Sequence, residues 1–146
     1  MNKLNLAIVT GGDAAERGVS LNSAKTVYEH LDAYKYNRYI IELSNGRFTE
    51  QASAAPVDMN DFSLALDGRR ITFDLIYLML HGHPAEDGRL QGYFELLGLP
   101  VTGCGVLASA LTFDKQGTKD FLRTHGIPMA DSELLLKGKA VDWKTL

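Results

Sequence analysis

Two runs constrain this chain more than anything else in it. Residues 4–10 read "LNLAIVT" and residues 74–80 read "DLIYLML". The second is apolar at nearly every position, so it has no side to offer to water. Such a run fits a strand covered on both faces, as in a parallel sheet. The first is bounded by Gly11-Gly12 and also reads as a buried strand. Each is followed by a polar, glycine-containing loop and then by a helical pattern. Val19, Ala24, Val27 and Leu31 approximate helical spacing. Ser20 or Asp13 is the expected cap of that helix, and Asp13 and Glu16 stand at capping-box spacing.

Residues 36–43, "YNRYIIEL", read as a second strand. The polar stretch after it reads as loop with a short hairpin. "FSLALDGRRITF" alternates on both sides of Asp67-Gly68, the signature of a tight hairpin. "DGRLQGYFELLG" predicts a helix ending at Gly98, with Pro100 beyond it. "VTG" predicts a short strand, "VLASALT" and "DKQGTKDFLRTHG" two short helices, and a final strand is expected near Met129. Strands and helices alternate with crossovers long enough for parallel pairing. The expected fold is therefore α/β, an open, mostly parallel sheet with helices on both faces.

A chain of 146 residues suits one domain. We assign it residues 1–136, with 137–146 as the start of a linker or a further element broken off in mid-pattern. The net charge of −3, with both signs interspersed, gives no footprint for nucleic acid. No apolar run is long enough to span a bilayer and no leader opens the chain. The single cysteine, Cys104, excludes an internal disulfide framework and fits a reducing compartment. A cytoplasmic domain is the expectation.

Three stretches carry candidate chemistry. "TGGDAAERGVS" joins a strand to a helix, where open α/β sheets bind ligands. Gly11, Gly12 and Gly18 lack the spacing of a dinucleotide fingerprint, so Glu42 as a ribose-binding acid has little support. Glu16 either grips an ammonium group or merely serves its own helix. In "HGHPAEDG", His81 ends a strand. His-x-His with Glu86 and Asp87 has metal-ligand spacing, but the remaining histidines, His30 and His125, sit in helical contexts. The favoured reading is an imidazole and a carboxylate that together position a substrate. His83 reads as a solvated loop residue and Asp87 as a helix cap. In "GCGVLASALTFDKQGTK", Lys115 and Lys119 lie one turn apart and either meet phosphates or face solvent beside Asp114.

Taken together, "GGDAAERGVSLNSA" and "HGHPAEDGRLQGYFELLGLPVTGCGVLASALTFDKQGTKDFLRTHGIPM" resemble the amino-terminal part of D-alanine–D-alanine ligases, from about Leu6 to Met129, with a divergent middle from Ser44 to Arg70. The resemblance implies a Rossmann-like domain ahead of an ATP-grasp region. The parent would be an ATP-dependent, ADP-forming ligase that joins two D-alanines through an acyl-phosphate for peptidoglycan precursors and cell shape. ATP with Mg²⁺ or Mn²⁺ would serve the full-length enzyme, with no tightly held cofactor on this piece. It implies that Glu16 anchors the ammonium of the first D-alanine, that His81 faces the substrates and that Glu86 hydrogen-bonds within that cluster. Gly12 and Ser20 join them as substrate-binding positions, Lys115 reaches nucleotide phosphate, and the domain carries a homodimer contact. Pro84-Ala85, Val101, Cys104 and Gly18 depart from the family's usual residues. No late acidic magnesium motif is present, so the piece alone is expected to be inactive. The alternative is a non-catalytic dimerisation or small-ligand module degenerate from that family.

Overall fold

The computed structural model describes residues 2–13, 15–139 and 143. Its main sheet has four strands in the order β3-β2-β1-β7. Strand β1 (Leu4–Gly11) lies at the centre. It pairs in parallel with β2 (Tyr36–Ser44) on one side and with β7 (Leu75–Leu78) on the other, so that Leu6 faces Arg38 and Leu75. Strand β3 (Arg47–Glu50) closes the outer edge antiparallel to β2. Helix α1 (Arg17–His30) is the crossover from β1 to β2.

The central strand is apolar from Leu6 to Val9 because both faces are covered. Leu6 and Ile8 pack with Ala24, Val27 and Leu31 of the α1 side. Ala7 and Val9 point the other way, into a core with Leu90 and Phe94 of α2 (Arg89–Leu96). Successive strand residues alternate faces, so a one-residue slip would exchange the two cores.

A second, three-stranded sheet lies under the same core. It consists of β4 (Val57–Asp58), β5 (Ser63–Leu66) and β6 (Arg69–Ile71), in that order. Asp67 and Gly68 turn the β5–β6 hairpin with φ of 50° and 71°, the paired positive values of a tight hairpin turn. The segment read as loop with a short hairpin thus supplies β3 and β4. It also brings Phe48 against Phe62, Tyr93 and Phe94; Phe62, which follows it, packs on Phe73 and Phe94, with ring centroids 4.8 Å apart for Phe62 and Phe94.

Helix α3 (Val106–Phe113) and helix α4 (Lys115–Arg123) follow. The strand expected at "VTG" shrinks to a single parallel bridge between Ile76 and Val101, because Pro100 has no N–H to extend the ladder. No strand forms near Met129; residues 129–136 are irregular. Of the tail, Lys137–Lys139 form a turn, and most of the rest lies outside the described residues.

Gly11 ends β1 with φ of 94°, and a Cβ there would stand 2.5 Å from the Leu43 carbonyl oxygen. Gly11→Ala should therefore destabilise the fold by about 2 kcal/mol, read as a lower midpoint in urea.

Candidate functional site

The parallel strands set the site, since β1 and β7 release their loops at the same carboxyl edge of the sheet. The loop after β1 leads to α1, and the segment after β7 carries His81. These two loops are tied through one side chain. The His81 backbone N–H donates to Ser20 Oγ at 2.9 Å, and Ser20 Oγ donates to the Glu16 carbonyl at 3.2 Å. Ser20 is fully buried. Its hydroxyl therefore does not cap α1, whose N-cap position is Glu16. It fastens the end of β7 to the first turn of α1. Asp13 does not cap the helix either: its carboxylate accepts the Asn45 N–H at 3.1 and 3.0 Å, tying this loop to the β2–β3 turn. Glu16 occupies the N-cap position without a side-chain cap bond, and it is exposed.

The His81 ring lies between two partners. Nδ1 is 3.7 Å from Glu86 Oε1, and Nε2 is 3.4 Å from Ser23 Oγ. Neither contact is short enough to lock a tautomer, so both ring nitrogens keep capacity for a ligand. Glu86 is brought there by a tight turn in which the N–H groups of Ala85 and Glu86 both donate to the Gly82 carbonyl at 3.0 Å. His81 and Glu86 line a cavity of about 400 Å³, walled by Leu80, Ala85, Gln91 and Cys104. The Cys104 thiol is free and exposed. Sequence reasoning passed over Gln91, whose position on a helix offers no local signal of its bond to the loop.

The other candidates sit apart. Gly12, with φ of 88°, lines a separate cleft of about 290 Å³ with His83 and Pro84. Lys115 opens α4 and lines an open groove with His83, Asp87 and Arg89. Asp114 caps α4 by accepting the Gly117 N–H at 2.7 Å. Lys119 donates to the Ala130 carbonyl at 2.6 Å and so holds the segment after α4 rather than facing that groove. Glu42 pairs with Arg17.

His83 is more than a solvated loop residue: its Nδ1 lies 2.6 Å from Asp87 Oδ2. Asp87 stands one residue before the α2 cap, which is Gly88, and accepts the Arg89 N–H at 3.3 Å. Burial pushes the Asp87 carboxyl up, but the His83 bond, the Arg89 N–H and the Arg89 and His83 charges together outweigh it and hold it below the usual carboxylate value. A carboxyl lowered by folding adds stability above its unfolded value of about 3.9 and loses it as the pH falls toward the folded one. Asp87→Asn should therefore lower stability at neutral pH and flatten the acid limb of the stability–pH curve below about pH 4, so that the two proteins converge at low pH.

Among the described residues, no group of three or more His, Cys, Asp or Glu side chains could hold a metal ion. The His-x-His spacing yields no cage because His83 turns to Asp87 while His81 turns to Glu86. The described residues thus form no preformed metal cage of their own. No helix among them is long and apolar enough to cross a membrane.

A mostly parallel α/β sheet with a histidine–carboxylate pair over its carboxyl edge has polar side chains at the edge where open α/β sheets bind ligands. The particular family follows from the sequence match: the chain belongs to the D-ala D-ala ligase N-terminus family, whose model covers residues 5–104. It is 46% identical over 142 residues to a D-alanine–D-alanine ligase of Bacteroides fragilis, covering 95% of this chain and 44% of that one. The chain therefore spans less than half the length of this relative. The D-alanine–D-alanine ligase of Coxiella burnetii superposes with a TM-score of 0.85 at 34% identity, over 97% of this chain and 48% of that one. A VanG D-Ala:D-Ser ligase of Enterococcus faecalis superposes with a TM-score of 0.75 at 31% identity, over 86% and 43%.

Proposed function

We propose that residues 1–136 form the amino-terminal substrate domain of an ATP-dependent ligase that joins two D-alanines for peptidoglycan precursors in the cytoplasm. The observation that carries this reading is the His81–Glu86 pair, set 3.7 Å apart at the carboxyl edge of β7 and fastened to the start of α1. The reaction needs a carboxylate made into an acyl-phosphate and then attacked by an amine held at near-attack distance, with water kept out. Glu16 offers an exposed carboxylate to the ammonium of the first D-alanine. His81, steadied by Glu86, faces the same zwitterion. Gly12, in the loop after β1, joins them as a substrate-binding position.

Lys115, at the mouth of an open groove, supplies a cation for nucleotide phosphate. ATP, when bound, supplies the phosphoryl group. The described residues of this chain offer it no cluster of three or more His, Cys, Asp or Glu side chains and the groove at Lys115 is open, whereas phosphoryl transfer leans heavily on electrostatic stabilisation. The chain by itself is accordingly a binding domain without turnover, and it pairs with a second copy as a homodimer.

The test is calorimetric titration of the chain with D-alanine and, separately, with L-alanine, alongside phosphate release from the open reading frame that contains it. The reading expects stereoselective heat from the chain and D-alanine-dependent phosphate release from the whole product. Equal heats for both enantiomers, or no phosphate release, would sink it.

A further inference from the structure

We infer that Gln91, on α2, is a positioning residue that sets the angle at which Glu86 meets His81. The Gln91 side-chain Nε2 donates to the Ala85 carbonyl at 2.5 Å. That carbonyl and the Glu86 N–H belong to one rigid peptide plane. The Glu86 N–H is itself bound to the Gly82 carbonyl at 3.0 Å. The plane that launches the Glu86 side chain is thus held at both edges, by α2 on one side and by the loop on the other. Fixing it fixes the rotation about the bonds that flank it, and hence the direction of the Glu86 Cα–Cβ bond.

Stability alone does not account for an amide at this place. Gln91 is 5% exposed, and its Oε1 is buried without a hydrogen-bond partner. The amide satisfies the Ala85 carbonyl but leaves its own oxygen orphaned, so one unpaired acceptor replaces another. An apolar side chain of the same length would fill the space at a similar net cost. What the amide adds is the direction of one peptide plane, in the wall of the cavity that His81 and Glu86 share.

The inference goes beyond the ligase reading and stands whether or not the pair serves D-alanine. Its test uses the chain labelled with ¹⁵N and compares wild type, Gln91→Met and Glu86→Gln. The readouts are the His81 ring nitrogen resonances and the thermal midpoint. Gln91→Met should move the His81 ring resonances to match those of Glu86→Gln, while the midpoint shifts by no more than about 5 °C. Wild-type ring resonances in Gln91→Met would overturn the inference. So would collapse of the fold in that variant, which would make Gln91 a structural residue only. Absence of a D-alanine effect on any of these spectra would count against the ligase reading and leave this result unchanged.

Discussion

Phe62→Ala lowers the stability of the folded chain by about 3–5 kcal/mol, the largest loss expected from any single side chain here. Phe62 is fully buried at the hub of the aromatic cluster, with Phe48 at 5.1 Å, Phe94 at 4.8 Å and Phe73 at 5.7 Å between ring centroids. Its removal leaves a cavity between the two sheets that the surrounding rings cannot close. The backbone sharpens the prediction. Phe62 has φ of 55°, a conformation that an aromatic residue adopts only when packing holds it there. Alanine would keep that strain after losing the packing, whereas glycine would relieve it. Phe62→Gly should therefore be no less stable than Phe62→Ala, the reverse of the usual order. Urea midpoints for the two variants decide it, and a clear deficit for Gly would contradict the account.

His81→Ala carries the largest expected effect on activity. In a ligase containing this domain, we expect kcat/KM for D-alanine to fall by about 10²–10⁴-fold. The thermal midpoint should scarcely move, because the side chain is 38% exposed and its ring contacts are long. Glu86→Gln keeps a side chain of the same shape beside Nδ1 but removes the charge, so its loss should be smaller, about tenfold. Steady-state kinetics on both variants is the check. A His81→Ala enzyme within threefold of wild type would remove the imidazole from the proposed chemistry.

The central strands were legible because β1 and β7 are covered on both faces, and an unbroken apolar run has few other homes. The β5–β6 hairpin was legible because Asp67-Gly68 is a local signal for a local turn. The rest depended on distance in sequence. Phe48, Phe62, Phe73 and Phe94 have no common period, and only the folded chain brings them to one hub. Strand β4 is two residues long and pairs only with β5, so nothing local marks it. At the site, His81 and Glu86 were readable as a loop-borne pair. Ser20 was misread, because a hydroxyl in the first turn of a helix looks like a cap until its distant acceptor and donor are known. Gln91 was invisible for a related reason: its partner is the backbone of a loop, and a backbone carbonyl has no letter in the sequence.

The Ser20 hydroxyl has a kinetic and thermodynamic consequence for whatever settles between α1 and the end of β7. Those two walls do not rock independently, since an interior staple joins them. Their freedom is surrendered once, during folding, and not again at each encounter. An arriving guest then gives up mainly its own tumbling, which favours tight capture of something very small.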